Sequence, residues 1–209
     1  MNNNCYSADI IMHEYNKTFN YNNTEMLKLT IKYPQISLNN KQAENIINAQ
    51  IYMEVNNYKK YAKHLFKQAM QAYARSKTTG YPFLGYEAYM EYFITYNENC
   101  FFSLYYDRYE FTGGAHGTTV RASDTWELCC GTCLSLYNFF RPDTDYKHLL
   151  INEIIRQAEA IQRRQNIYFD EYKSLIIKNF DKDSYYLSPE GITIYYQQYD
   201  IAPYSTGIV

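Results

Sequence analysis

Two long alternating stretches meet at Thr112-Gly113-Gly114-Ala115-His116-Gly117, and this junction constrains the fold more than any other segment. Glycine enters the left-handed region of backbone space without steric cost, which a tight or bulged connection between antiparallel strands demands. Phe101 to Phe111 precedes the junction and is rich in aromatics. After it, Thr118, Val120, Ala122, Trp126 and Leu128 share one parity and point inward, with Asp124 as the exception. Thr119, Arg121, Ser123, Thr125 and Glu127 take the other parity and point outward. A hairpin is therefore expected here, with Gly113, Gly114 and Gly117 as its structural glycines.

The same reasoning extends along the chain. Met26 to Tyr33 alternates as a half-buried strand that Pro34 should end. Asn39 or Asn40 can cap a helix whose stripe starts at Ala43, Ile46 and Ile47. It resumes through Tyr58, Ala62, Leu65 and Ala69, with Val55-Asn56-Asn57 as a point where it can bend or break. Glu87 to Tyr96 reads as another strand. Leu149, Leu150, Ile154, Ile155, Ala158 and Ile161 mark a second helix, and a short third is expected over Glu171 to Phe180. Cys130-Gly131-Thr132-Cys133 reads as a turn, and Ser188-Pro189-Glu190-Gly191 as a hairpin, so Gly131 and Gly191 join the structural glycines. Runs of strands with helices between them predict an α+β fold: a mostly antiparallel sheet with helices packed on one face. Two lobes are expected, 1–80 and 81–209, in one compact unit.

Charge and composition exclude several roles. The formal net charge of −2 gives no basic footprint for nucleic acid. Lys59, Lys60, Lys63 and Lys67 read as one solvated helix face. No run of about 18 apolar residues is present, so no membrane span is expected. No basic n-region leads into an apolar core at the start, and the chain as written reads as cytoplasmic or as separated from a leader. The 26 tyrosines suit half-buried sheet faces and recognition surfaces alike.

Five cysteines cannot all pair with one another. Free thiols are expected in a reducing compartment. The Cys130/Cys133 pair leaves three readings open: free thiols, a disulfide across the turn, or part of a metal site. A metal site would need two further ligands that the spacing does not supply. Asp107, Glu110 and Asp124 could serve a glycosidase only if two of them converged to within about 5–10 Å. With no complete catalytic constellation, the expectation is a protein without catalytic residues, cofactor or metal.

The segment Tyr109-Glu110-Phe111-Thr112-Gly113-Gly114-Ala115-His116-Gly117 resembles a signature of the extracellular domain of RsiV-type anti-sigma factors. It also resembles the N-terminal, non-catalytic region of PdaC-type peptidoglycan deacetylases. Tyr33-Pro34-Gln35-Ile36, Leu187-Ser188-Pro189-Glu190-Gly191-Ile192 and Ile201-Ala202-Pro203-Tyr204-Ser205-Thr206-Gly207-Ile208 agree with the same pattern, in order along the chain. The resemblance implies an exported module, and in RsiV-type proteins one that binds lysozyme. A lysozyme-like protein or a peptidoglycan fragment is the partner it implies. His116, Tyr109, Pro203 and Tyr204 are the candidate binding residues. His116 can act as acid-base group, ligand or pH switch, or can lock the turn through its ring. Tyr204, held by Pro203, can present its ring to a partner or seal the sheet edge. A structural or assembly protein crosslinked through tyrosine and cysteine is the alternative.

Overall fold

The computed structural model describes residues 6–209. Cys5 lies outside the described residues. A six-stranded sheet runs in sequence order through β1 (Asp9–Tyr21), β2 (Thr24–Ser37), β3 (Tyr86–Glu98), β4 (Phe101–Phe111), β5 (Thr118–Glu127) and the two-residue β6 (Thr132–Cys133). All neighbours are antiparallel except β2 and β3, which α1 (Lys41–Thr79) connects as a crossover. A second unit holds α2 (Tyr146–Gln165), α3 (Tyr172–Asn179) and the hairpin β7 (Tyr185–Ser188)–β8 (Gly191–Ile194). The fold is α+β and mostly antiparallel, as the run of strands implies. No helix of the described residues is long and apolar enough to cross a membrane.

The long helix is set by its sequence. Asn40 caps it, accepting from the backbone N–H of Gln42 and Ala43, and Gly80 ends it in the left-handed conformation. Ala43, Ile47, Ile51, Val55, Tyr58, Ala62, Leu65 and Ala69 recur at steps of three and four and are buried against the sheet. That stripe runs through the place where a break was expected. Val55 is wholly buried while Asn56 and Asn57 lie off the stripe, so the asparagines meet no packing conflict. Pro34 likewise does not end its strand. β2 continues to Ser37 with Pro34 opposite Met12, beyond the point where pairing to β3 stops at Lys32. A proline is tolerated where one side of the strand has no partner.

One core lies between α1 and the sheet, with Phe102, Leu104, Trp126, Met90, Leu29 and Ile31 essentially inaccessible. The other holds the second unit together through Ile151, Tyr172, Ile176, Tyr196 and Ile201. The two meet on the sheet face away from α1. There the backbone N–H of Leu187 donates to Ser103 Oγ at 2.9 Å. Beyond the short β6, the outer edge of β5 is closed by side chains: Arg121 N–H donates to Gln197 Oε1 (2.9 Å), and Thr119 N–H to Gln198 Oε1 (2.8 Å). These bonds supply what a further strand would, and they bring the closing segment of the chain beside the glycine hairpin.

Candidate functional site

The β4–β5 turn and the closing segment form one cluster around Gly117. Gly113 takes φ +85°, which favours glycine. Gly117 does not need positive φ; it needs the absence of a side chain. A Cβ there would stand 2.3 Å from the Tyr109 ring and 2.6 Å from the Glu110 carbonyl oxygen. The Gly117 carbonyl accepts twice, from Tyr204 Oη at 2.7 Å and from His116 Nδ1 at 3.1 Å, so the His116 proton belongs on Nδ1. The His116 and Tyr204 rings stack at 3.9 Å with 24° between planes, and Tyr199 lies 5.8 Å from Tyr204.

All four candidate binding residues thus meet. Tyr109 lies under Gly117, His116 and Tyr204 lie over it, and Pro203 opens the 3-10 turn that carries Tyr204. The hydrogen bonds and stacking make this arrangement a clasp between hairpin and chain end. His116 and Pro203 remain exposed, and Tyr204 is half-buried. Gly131 and Gly191 also take positive φ. A Cβ at Gly131 would meet the Cα of Ala43 at 2.9 Å, so the β5–β6 turn rests on the start of α1.

A groove of about 400 Å³ opens on the α1 side of the same hairpin. Its floor and walls are Glu54, Asn57, Tyr58 and Tyr61 from α1, Arg108 and Glu110 from β4, and Thr118 and Val120 from β5. It exists because the core-facing parity of β4 changes character along the strand. Phe102, Leu104 and Tyr106 are buried, whereas Arg108 and Glu110 on the same face are half-buried. Tyr58 Oη donates to the Tyr109 carbonyl at 3.2 Å, fixing helix to sheet. Tyr61 Oη donates to Glu110 Oε2 at 3.1 Å. Burial raises the Glu110 carboxyl above the usual range, opposed in part by that hydrogen bond and by Arg108.

Beneath the groove the rings of Tyr92 and Tyr106 stack at 4.6 Å, and the Arg108 guanidinium lies 5.9 Å from the Tyr106 ring. Asp124 shares the inward face after all. Burial, and then the nearby Glu54 carboxylate, push its carboxyl up to about 6. The Tyr92 hydroxyl is buried and has no hydrogen-bond partner among the described residues. An unsatisfied buried hydroxyl is costly, so Tyr92→Phe is expected to stabilise the chain by about 1 kcal/mol. Paired urea unfolding curves check this, and a fall in the midpoint would show that the hydroxyl is satisfied in solution.

The three carboxylates considered for hydrolysis do not converge. Asp107 lies on the opposite face, where Arg121 holds it by two bonds of 2.8 Å and stacks its guanidinium 3.7 Å from the Tyr105 ring. Glu110 and Asp124 share a face, but Asp124 pairs with Leu104, six residues along β4 from Glu110. At the rise of a strand that is roughly 20 Å.

The thiols divide. Cys130 and Cys133 are free and exposed, so the turn pair is not bridged. Cys130 Sγ lies 3.2 Å from Glu127 Oε2, and burial and Asp124 raise the Cys133 thiol, which opposes thiolate formation. Cys100 and Cys129 are each disulfide-bonded, whereas free thiols are the expectation for a reducing compartment. The β3–β4 and β5–β6 turns, distant in sequence, meet through the Leu128 N–H to Cys100 carbonyl bond at 2.8 Å. Among the described residues no group of three or more His, Cys, Asp or Glu side chains is placed to hold a metal.

Two families match the chain. One, described as Deacetylase PdaC, matches residues 21–119. The other, described as a protein of unknown function (DUF3298), matches residues 137–209. A DUF3298 family member from Bacteroides fragilis NCTC 9343 is similar in structure, with a TM-score of 0.72 at 20% identity. That similarity covers 99% of this chain and 90% of the other. A DUF3298 family protein from Pseudomonas aeruginosa PAO1 follows at 0.64 and 16%, covering 99% and 89%. No curated protein matches.

Proposed function

We propose that this chain, whose residues 21–119 match the family described as Deacetylase PdaC and whose residues 137–209 match the DUF3298 family of unknown function, is a non-catalytic binding module of the cell envelope that captures a cell-wall lytic protein. The observation that carries this reading is the groove beside the glycine hairpin. It is open and lined by tyrosines, carboxylates and one guanidinium. Tyrosine and arginine are the side chains most often found at the energetic centres of protein interfaces. Tyr61 and Val120 are the exposed apolar groups on its rim. The resemblance of the hairpin and closing segments to the lysozyme-binding domain of RsiV-type proteins supports the same reading.

Within this reading the clasp at Gly117 organises the groove rather than meeting the partner. Tyr204 has its hydroxyl and its ring committed inside the chain. Surface capture of lysozyme, with soluble wall glycan fragments in parallel, tests the proposal. Saturable lysozyme binding that Tyr61→Ala weakens about tenfold or more is the expected result, the size typical of an interface centre. Binding of glycan fragments alone would move the reading to wall recognition. Retention of neither would remove it.

A further inference from the structure

The β7–β8 hairpin has two outer edges, and the fold uses them differently. Its two-residue loop, Pro189-Glu190, makes Ser188 and Gly191 the closing pair, and the Tyr195 N–H donates to the Ser184 carbonyl at 3.1 Å. Bonds across an antiparallel pair fall on alternate residues, so those of β8 toward β7 fall at Gly191, Thr193 and Tyr195. The backbone N–H and C=O groups of Ile192 and Ile194 therefore point the other way, as do those of Tyr185 and Leu187 on β7. The main sheet closes the β7 edge: the Leu187 N–H donates to Ser103 Oγ at 2.9 Å, and the Tyr185 carbonyl accepts from Ser123 Oγ. On the β8 side only the rung at Tyr196 is filled. Tyr196 and Val209 exchange both backbone bonds, at 2.8 and 3.1 Å, so Val209 lies antiparallel against this edge. Among the described residues nothing bonds the outward groups of Ile192 and Ile194.

This edge opens into a groove of about 380 Å³ whose other wall is α2. Leu150, Ile154, Ala158 and Ile161 line that wall at steps of four and three, so one helical stripe faces β8. Val209 lines the same groove and packs, with Ile194, against the core that α2 and α3 close. Directly opposed residues of an antiparallel pair turn their side chains to the same face. Val209, opposite Tyr196, thus shows what the edge receives: a strand residue with an apolar side chain turned into this core.

We propose that β8 and α2 form a receptor for an extended peptide segment of a partner protein, added as a third strand in line with Val209. The two peptide residues opposite Ile194 and Ile192 exchange backbone bonds with them. Both are apolar and face Leu150, Ile154 and Ile161. The residue between them points to the opposite face, with Thr193, and is unrestricted. A strand is the occupant because an open row of N–H and C=O groups pairs with another backbone, while pockets beside it select alternate side chains. A glycan has no such row. The site is separate from the groove at Tyr61 and stands independently of the capture reading.

The test uses the full chain labelled with 15N and three peptides. The first is acetyl-Ser-Val-Thr-Val-Ser-amide, the second carries N-methyl groups on both valines, and the third has serine in place of both valines. Saturable amide shifts confined to residues 150–161, 190–196 and 209 are expected for the first peptide, with slowed hydrogen exchange at the Ile192 and Ile194 amides. N-methylation removes two backbone donors and keeps the apolar side chains, and should weaken binding about tenfold or more. The serine peptide should be weakened similarly. Ile192→Pro removes an outward N–H that the hairpin does not use, and Ile161→Lys places a charge on the groove wall at an exposed position. Both should abolish the shifts while the rest of the spectrum stays in place. If Ile192→Pro fails to fold, Ile161→Lys and the N-methylated peptide decide. Equal binding of the N-methylated peptide would make the groove an apolar slot and overturn the proposal. Shifts elsewhere, no shifts at millimolar peptide, or the same residues responding to soluble wall glycan would also overturn it. So would self-association of the free chain through β8, which would make a second copy the occupant.

Discussion

Gly117→Ala is expected to be among the most damaging single-methyl additions in the chain, costing about 2–3 kcal/mol, at the upper end of the usual overpacking range. The new carbon would fall 2.3 Å from the Tyr109 ring and 2.6 Å from the Glu110 carbonyl oxygen. The ring can rotate away, but the carbonyl belongs to β4 and cannot move without disturbing its pairing with β5 at Thr118. The displacement also pulls the Gly117 carbonyl from Tyr204 and His116, so hairpin and chain end come apart together. Gly114→Ala is the matched control. Its Cβ would meet only the His116 carbonyl oxygen at 3.7 Å, and its φ is not positive. A change within about 0.5 kcal/mol is expected there. Thermal or urea unfolding of the two variants side by side checks the contrast, and equal effects would mean that the clasp contributes nothing.

Asp124→Asn is expected to act in the opposite direction and to depend on pH. In the folded chain burial and Glu54 raise the Asp124 carboxyl to about 6, against about 3.9 for an unperturbed aspartate. The folded state therefore favours the protonated form. That contribution is fully present below about pH 4 and is lost as pH rises through about 6. By pH 7.5 the ionised carboxylate costs the fold about 2 kcal/mol, discounted from the full two-unit shift because the side chain retains some contact with solvent. The neutral amide should recover most of it at pH 7.5 and almost none at pH 4. Urea midpoints at pH 4, 6 and 7.5 would show a difference that grows with pH. A difference that is flat across this range, or a less stable variant at pH 7.5, would contradict the electrostatic account.

Much of the frame can be read from the residues alone. The glycine turn, the inward parity of β5, the α1 stripe from Ala43 and the Ser188–Gly191 hairpin each follow from a local rule with one answer. Departures came where local rules met tertiary context. Pro34 breaks a strand only if both sides need its N–H, and β3 has already stopped pairing at Lys32. Asn56 and Asn57 weaken an isolated helix, but Val55 anchors this one against the sheet. Ser7 to Glu14 reads as strand through Ile10, Ile11 and Met12, but β1 runs on to Tyr21 along an edge with little buried surface, where the residues carry no clear alternation.

The clasp residues Tyr109, His116 and Tyr204 were visible as motifs, though nothing in their spacing shows that they touch one another. The groove was less legible. Glu54 and Tyr61 lie some fifty residues before Arg108 and Glu110, and only the parallel crossover through α1 sets them face to face. A signal was nevertheless present in β4. Phe102, Leu104, Tyr106, Arg108 and Glu110 share one parity, and the switch from apolar to charged marks where the helix stops covering the sheet. Asp124 gave a similar sign on β5, a carboxylate on a face that is otherwise apolar.

The most direct test of the account is where lysozyme lands. Amide shifts of the 15N-labelled chain, followed as unlabelled lysozyme is added at pH 7.5, should concentrate at residues 54–61 and 106–120 and be suppressed by Glu54→Gln/Glu110→Gln. Shifts centred on the second unit, around α2 and α3, or a footprint indifferent to the double variant, would contradict the assignment of the groove as the recognition site.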